Sequence, residues 1–562
     1  MKFRSASALV ILSIVSAAVA LRAQQAASES ETLSATTELV LVPVQVRGHD
    51  GKPLLGLKQE DFVLRSDGQP QPISVFESTV ETSAPVANRA AAPAPPNMVL
   101  NVPNEGMPDR ILIIALDLVN TAYLDQTRAK VELLKYLSET SSTQHFALVA
   151  ITKDGLQPIH NFSSDPAVLL QALQRLQNTA DKDVADQPLL DRMMTAAQFQ
   201  TPCHPIDEYE TMLAAFKDAQ IYGAYAQKIA VRATLTALTQ MAQAYAGVPG
   251  RKSVIWLTGG MPILIYNSLA GGIKGNSTLN GDPELVSEYQ DTFTVLNNAN
   301  IAIYGVDVKG IKSDRTYQAS GISPAMHQPM YQTRATANQV SPLSYNDDAI
   351  KVVSSATGGK SCTANAGLKD CIDEAVADNS SYYMLGFYVP QQERKPGWHK
   401  LEVKLINERG SVRSRTSYYL APAAAPSEKD INRALRDAAN AKIDYTGLAF
   451  AVERQPGTDP AKPELMRIMV PARSVLLSPG HPQLSYDIVS APLNAKGEPG
   501  AGVRIVHLNL TEEQTQTALS KGWSFTDQLQ GADSKAVKYI LRDNGTGRIG
   551  SVMVPLQQKA GG

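Results

Sequence analysis

A chain of 562 residues is too long for one hydrophobic core, so roughly two to four domains are the starting expectation. With 43% hydrophobic and 19% charged residues the composition is globular, which excludes a disordered chain and a polytopic membrane protein. A formal net charge of -2 without a dense Lys/Arg cluster argues against nucleic acid as a partner, because phosphate recognition needs a basic face.

The chain opens with Met1-Lys2-Phe3-Arg4, a short apolar run from Ala8 to Leu21 and the small-x-small pattern Ala18-Val19-Ala20. This is the layout of a secretory signal peptide over residues 1–23, and the apolar run is short for a bilayer span. The mature protein is therefore expected outside the cytoplasm, in periplasm, cell surface or medium, with no transmembrane segment. Export permits disulfides, and Cys362 and Cys371 flank a loop short enough to close, leaving Cys203 unpaired or competing for a partner.

Residues 37–78 read as a small β module: the run Leu39 to Val46, a turn at His49-Asp-Gly-Lys52, a second at Ser66-Asp67-Gly68, then Ile73 to Glu77. Residues 79–109, with Ala92-Pro93-Ala94-Pro95-Pro96 at their centre, lose all periodicity and read as a stiff linker.

Residues 110–420 form the expected central domain. Arg110-Ile-Leu-Ile-Ile-Ala-Leu-Asp117 is a short apolar run ending in an aspartate and followed by a helical pattern from Tyr123 to Ser138. Such a run reads as a strand buried on both faces of a parallel sheet, with Asp117 at the end where ligands bind. Lys252 to Thr258, closed by Gly259-Gly260, and Ile301 to Val306, closed by Asp307, repeat the layout, with a long helix over 207–246 between. The loops 264–281 and 309–345 carry no pattern and are expected to shape specificity. Trp398 to Leu405 and Val412 to Leu420 alternate and predict an antiparallel extension at the sheet edge. Residues 421–440 form a second Ala/Pro-rich boundary, and 441–557 read as a run of strands with the hairpin signal Asn544-Gly545, hence a C-terminal sandwich.

Several of these motifs, in this order, resemble the von Willebrand factor A-related family described from acidobacteria: Asp117-Leu-Val-Asn-Thr121, Gly250-Arg-Lys-Ser-Val-Ile-Trp-Leu-Thr-Gly-Gly260, Tyr304-Gly-Val-Asp307, Ala356-Thr-Gly-Gly359 and Tyr382-Tyr-Met-Leu-Gly-Phe387. Asp61-Phe62-Val63 with Asp67-Gly68 is similar to that family's amino-terminal module, and the resemblance spans about Thr37 to Leu420. It implies a doubly wound, mostly parallel α/β sheet, here flanked by the N-terminal β module and an all-β C-terminal domain. It also implies a divalent cation, Mg²⁺ or Ca²⁺, on hard oxygen ligands. Asp117 matches the first aspartate, Thr121 replaces the last serine and Asp307 is the substitute carboxylate. Val119 stands where a ligating serine belongs and Gly259 or Gly260 where a later aspartate belongs, so the motif is degenerate. Asn120, Gly259 and Gly260 complete the expected binding rim.

The expected function is a non-enzymatic interaction or adhesion protein whose partner is a protein ligand or an envelope or matrix component. One alternative is a metal-free envelope scaffold. Another is a hydrolase with carboxylates at the strand ends, Asp117, Asp125 and Asp307, and a base from His145, His160, His204 or His327. No nucleophile elbow, phosphate loop or His-Glu-x-x-His motif supports that enzyme.

Overall fold

The structure, a computed structural model, describes residues 38–79, 97–101, 111–139, 145–176, 225, 228–248, 250–260, 283–308, 342–362, 367–390, 394–407, 410–420, 426–455, 465–478, 481–529 and 534–556. The signal segment 1–23, the loop 264–281, residues 309–341 of the loop 309–345, and Cys203 lie outside the described residues.

The central layer is a six-stranded sheet in the order β11-β10-β9-β6-β7-β8. Its members are β6 (Ile111–Asp117), β7 (Phe146–Thr152), β8 (Gly155–Ser163), β9 (Lys252–Thr258), β10 (Ile301–Asp307) and β11 (Ser361–Cys362). β6, β7, β9, β10 and β11 pair in parallel, whereas β8 returns antiparallel along β7. Side chains alternate across a strand, and both faces are covered. Ile111, Ile113 and Ala115 face α3 (228–245), α4 (Pro283–Asn298) and α5 (Pro342–Ala356); Leu112, Ile114 and Leu116 face α1 (Tyr123–Glu139), α2 (Pro166–Arg175) and α6 (Leu368–Ser380). Strands apolar on both faces are what a doubly covered sheet requires. Cys362 of β11 and Cys371 of α6 lie at disulfide-bonding distance, with S–S 1.94 Å and Cα–Cα 6.1 Å.

Among the described residues, however, the expectation of a doubly wound, mostly parallel fold is overturned. Their 22 strands fall into five sheets, four of them wholly antiparallel, with 41% strand against 32% helix. The predicted edge extension does not join the six-stranded sheet. β12 (Tyr382–Val389) and β14 (Ser411–Ser414) instead flank β1 (Glu38–Arg47), with β4 (Val75–Thr79) on the far side of β12. β13 (Gly397–Leu405) pairs with β2 (Phe62–Ser66) and β15 (Ser417–Leu420), and β2 with β3 (Gln69–Gln71). These two sheets share one core, in which Val40, Val42 and Val44 meet Leu385, Phe387, Leu401 and Val403. The physical reason is edge pairing. β1 offers two open edges along ten residues, and strands with one apolar face are satisfied by a second sheet with one apolar face.

The stretch expected as a linker, 79–109, contributes β5 (Met98–Leu100), which pairs with β16 (Ala451–Gln455) of the C-terminal unit. There the sheet β20-β17-β16-β5, with β17 (Leu465–Val470) and β20 (Trp523–Gln528), faces the sheet β19-β18-β21-β22, made of β18 (Ser485–Leu493), β19 (Arg504–Asn509), β21 (Ala536–Asp543) and β22 (Ile549–Pro555). The two enclose a common core that includes Val452, Ile468, Tyr486, Tyr539 and Val552, the arrangement of a β-sandwich. The second expected boundary, 421–440, carries α7 (Glu428–Asn440), capped by Ser427 and packed on β21 through Leu435 and Ala438. Thr446 ties this unit to the centre: its hydroxyl accepts from Gly247 N (2.8 Å) and donates to Ala244 O (2.8 Å) at the end of α3.

The N-terminal sandwich is joined to the central layers at several points, among them Arg413 to Glu374 (3.0 Å) and Arg251 N to the Tyr382 hydroxyl (3.3 Å), and one junction is a buried carboxylate. Asp378 on α6, 2% exposed, accepts from Arg47 of β1 (2.9 Å), from Arg413 of β14 and from the Tyr304 hydroxyl of β10 (2.7 Å). Arg251, fully buried, donates to the Tyr304 hydroxyl (3.2 Å) and to the carbonyl of Gly358 (3.0 Å). Gly359 is held because a Cβ there would lie 2.0 Å from the carbonyl oxygen of Ile303. The Ala356-Thr-Gly-Gly359 motif is thus a backbone close approach.

Lys538 of β21 is buried, and its ammonium donates to the carbonyls of Ala441 and Ile443. Burial pushes it down to about 8 from 10.5, with Asp444 opposing, and burial depresses Lys252 likewise to about 8. Between those values the unfolded chain holds protons the folded chain lacks, so stability rises as pH climbs from about 8 to 10.5. Urea unfolding between about pH 8 and about pH 9.5, below the range in which buried Tyr245, Tyr289, Tyr445 and Tyr539 oppose it, is expected to show this rise, on the order of 2 kcal/mol per lysine. Lys538→Met removes about half of it, leaving the share due to Lys252.

Candidate functional site

The ends of β6, β9 and β10 lie side by side, in register from Ile111, Lys252 and Ile301 onward. Where β6 leaves the sheet, Asp117 turns the chain back on itself. Its Oδ1 accepts from the backbone N–H of Val119 (3.0 Å) and Asn120 (2.9 Å), the hydrogen-bonding pattern of an Asx turn. Its Oδ2 accepts from Asn120 Nδ2 (2.9 Å) and from the Thr258 hydroxyl (2.7 Å) at the end of β9. Asn120 Nδ2 also donates to Thr234 Oγ1 on α3 (2.8 Å), and Thr121 Oγ1 accepts from Gly259 N (2.8 Å).

One carboxylate thus joins two loops and, through Asn120, a helix. It is 2% exposed, and burial pushes its pKa above the ordinary carboxylate value, while hydrogen bonds from Asn120, Thr258 and Val119 pull the other way. Gly259 lacks a side chain for a steric reason: a Cβ there would lie 2.6 Å from the carbonyl oxygen of Asn120. Gly260 has φ +111°, a conformation that side chains resist. The two glycines standing where the resemblance places an aspartate let the loops close on each other.

Of the residues expected to bind, Asp117, Asn120, Thr121, Gly259 and Gly260 come together. Asp307 does not join them. It pairs in register with Thr258, which places it two strands from Asp117, about 10 Å at ordinary strand spacing. Thr258 and Thr234 are members that the sequence reading did not single out. Thr258 carries a local signal, a hydroxyl between a buried strand and a Gly-Gly turn; Thr234, 114 residues from Asn120, carries none.

A divalent cation does not fit these residues. Mg²⁺ takes six oxygen ligands and Ca²⁺ about six to eight, so a site of this kind needs free lone pairs on several groups. Here four protein donors occupy Asp117, the Thr121 hydroxyl is engaged by Gly259 and Val119 has no oxygen to offer. No group of three or more His, Cys, Asp or Glu suited to a metal occurs among the described residues. The general bases considered from sequence are also placed elsewhere: His145 precedes β7, at the opposite end of the parallel strands, and His160 lies within β8 opposite Leu148. His204 and His327 lie outside the described residues. Asp125, 4% exposed on α1, faces Arg128 at 3.5 Å.

No protein-family model matches the chain, and no curated protein matches it.

Thr258→Val removes one donor to Asp117 and the acceptor of Gly260 N at 3.1 Å while keeping the side-chain shape. A loss of about 1–3 kcal/mol in chemical unfolding is expected, because a buried carboxylate is left short of a partner. Thr258→Ser, which keeps the hydroxyl, is expected to lose less than half as much.

Proposed function

We propose that the chain is an exported, non-enzymatic interaction protein whose docking face is the strand-end rim of the six-stranded sheet and whose binding does not depend on a metal ion. The observation that carries this reading is the self-sufficiency of the rim. Asp117 and Thr121, the groups that would coordinate a cation or handle a proton, are engaged in holding the loops together.

Immediately beyond that loop, α1 begins with Tyr123 (49% exposed) and Leu124 (78% exposed). An exposed tyrosine at the start of a helix, with an exposed leucine beside it, is a suitable aromatic anchor for a protein partner. The resemblance in the Asp117 to Thr121 and Gly250 to Gly260 motifs supports a ligand-binding rather than a catalytic role. The Lys/Arg-led apolar leader, residues 1–23, supports export to periplasm, cell surface or medium, with an envelope or matrix component as the partner class. No helix among the described residues is long and apolar enough to cross a membrane.

Melting of the purified protein separates this reading from metal-dependent adhesion. An ion bound at 100 times its Kd adds about 2.7 kcal/mol of stability. The expected result is a melt that Mg²⁺, Ca²⁺, Mn²⁺ and EDTA leave in place, with capture of an envelope partner that persists in EDTA and is lost in the Tyr123→Ala/Leu124→Ala double variant. A cation-dependent rise that Asp117→Ala abolishes would overturn it.

A further inference from the structure

The outer face of the C-terminal sandwich carries a trough of about 460 Å³ that the rim does not explain. Its floor is a single row across three strands: Leu100 of β5, Ala451 of β16 and Met469 of β17 lie opposite one another in register. Their neighbours Val99, Val452 and Ile468 point the other way into the core, so the row lies outside that core, half-buried at Leu100 and Met469 and buried at Ala451. Three cations line the same trough, Arg467, Arg473 and Lys521, and among the described residues no carboxylate does. Arg467, Arg473 and Lys521 are all exposed, and none of the three forms an ion pair among the described residues. Even Glu453, the register partner of Arg467, forms no ion pair with it.

We propose that this trough binds a small organic carboxylate, its aliphatic or aromatic body on the Leu100–Ala451–Met469 row and its carboxylate on Arg467 and Arg473. The volume lies within the ~300–1,000 Å³ of ordinary ligand sites, which are apolar with a few placed polar groups. Arginine presents paired N–H donors that match a carboxylate. The choice of a singly charged group follows from the neighbouring helix α8 (Glu512–Lys521), which ends at the trough with Gly522 as its C-cap. A helix C-terminus carries partial negative charge. Lys521 offsets that charge, leaving Arg467 and Arg473 for the ligand. A phosphate, with more charge to place, would meet this repulsion without a helix N-terminus or backbone nest to hold it. The site is separate from the rim and stands whether or not the rim binds a protein.

The test is calorimetric titration of the full chain with decanoate below its micelle concentration, with decanol and inorganic phosphate as the body and the charge alone. Saturable 1:1 decanoate binding is expected, at least tenfold tighter than either control. Arg467→Ala/Arg473→Ala is expected to weaken it at least tenfold without moving the melt, since neither side chain has an ion pair to lose. Arg467→Lys/Arg473→Lys, which keeps the charge, should retain most of it. Absence of saturable binding, decanol binding as well as decanoate, phosphate binding more tightly, or a double-alanine variant that binds like the wild type would each overturn the proposal.

Discussion

The architecture depends on a single buried carboxylate, Asp378. Its side chain is 2% exposed, and it receives Arg47 from the first strand of the chain, Arg413 from a strand near residue 413 and the Tyr304 hydroxyl from the middle of the six-stranded sheet. A buried charge is tolerated only when it is paired and hydrogen-bonded, and removing one partner of such a pair costs about 3–5 kcal/mol because the other is left stranded. Asp378 therefore acts as a geometric constraint more than as a source of net stability. It fixes how the sandwich of β1–β4 and β12–β15 sits against α6 and β10. Beside it, Asn379 donates to the carbonyl of Ile111, the first residue of β6, at 3.4 Å, so the same turn of helix also locates the start of the central strand.

At the other end of that strand a second buried aspartate does comparable work. Asp117 binds the loop after β6 to the loop after β9, as Asp378 binds a sandwich to a sheet. Both are nearly fully buried acids whose oxygens are taken by donors of the same chain. A group so engaged gives up a structural bond to take a cation, and the display role proposed for the rim rests on that engagement. The threading interlocks the units: the chain lays down β1 to β4, passes through β5 in the C-terminal sandwich, builds the central sheet, and returns to complete the first sandwich before finishing the last. Each of the two sandwiches is closed by a segment from elsewhere in the sequence.

This threading also explains what the sequence disclosed and what it hid. The buried strands ending at Asp117, Thr258 and Asp307 were legible, because continuous Ile/Leu/Val runs of that length have few other readings. The two sandwiches were legible as strands but not as partners. Alternation tells which face of Leu401–Leu405 is apolar, yet nothing local says that it pairs with Phe62–Ser66. β5 was hidden because three residues beside a proline-rich stretch carry no periodicity, and β8 because Gly155–Ser163 includes Pro158 and a bulged register with β7. The helix Glu512–Lys521 and the strand Trp523–Gln528 were passed over among polar residues with little amphipathic contrast. Asp378 had no local signal at all: Arg47, its partner, is 331 residues away. The glycines of the rim read in sequence as a permissive turn standing where a ligand belongs, and the 2.6 Å at which a Cβ on Gly259 would meet Asn120 O adds a steric reason that no local signal carries.

The most direct test of this account is amide hydrogen exchange on Asp378→Asn, which keeps the size of the side chain but removes the charge that two arginines share. Exchange reports the stability of each unit separately. The account predicts that amides of β1 and β14 exchange at least tenfold faster while those of β18 and β21, in the far sandwich, keep their wild-type rates. Unchanged protection in β1 and β14, or a uniform loss across all units, would contradict it.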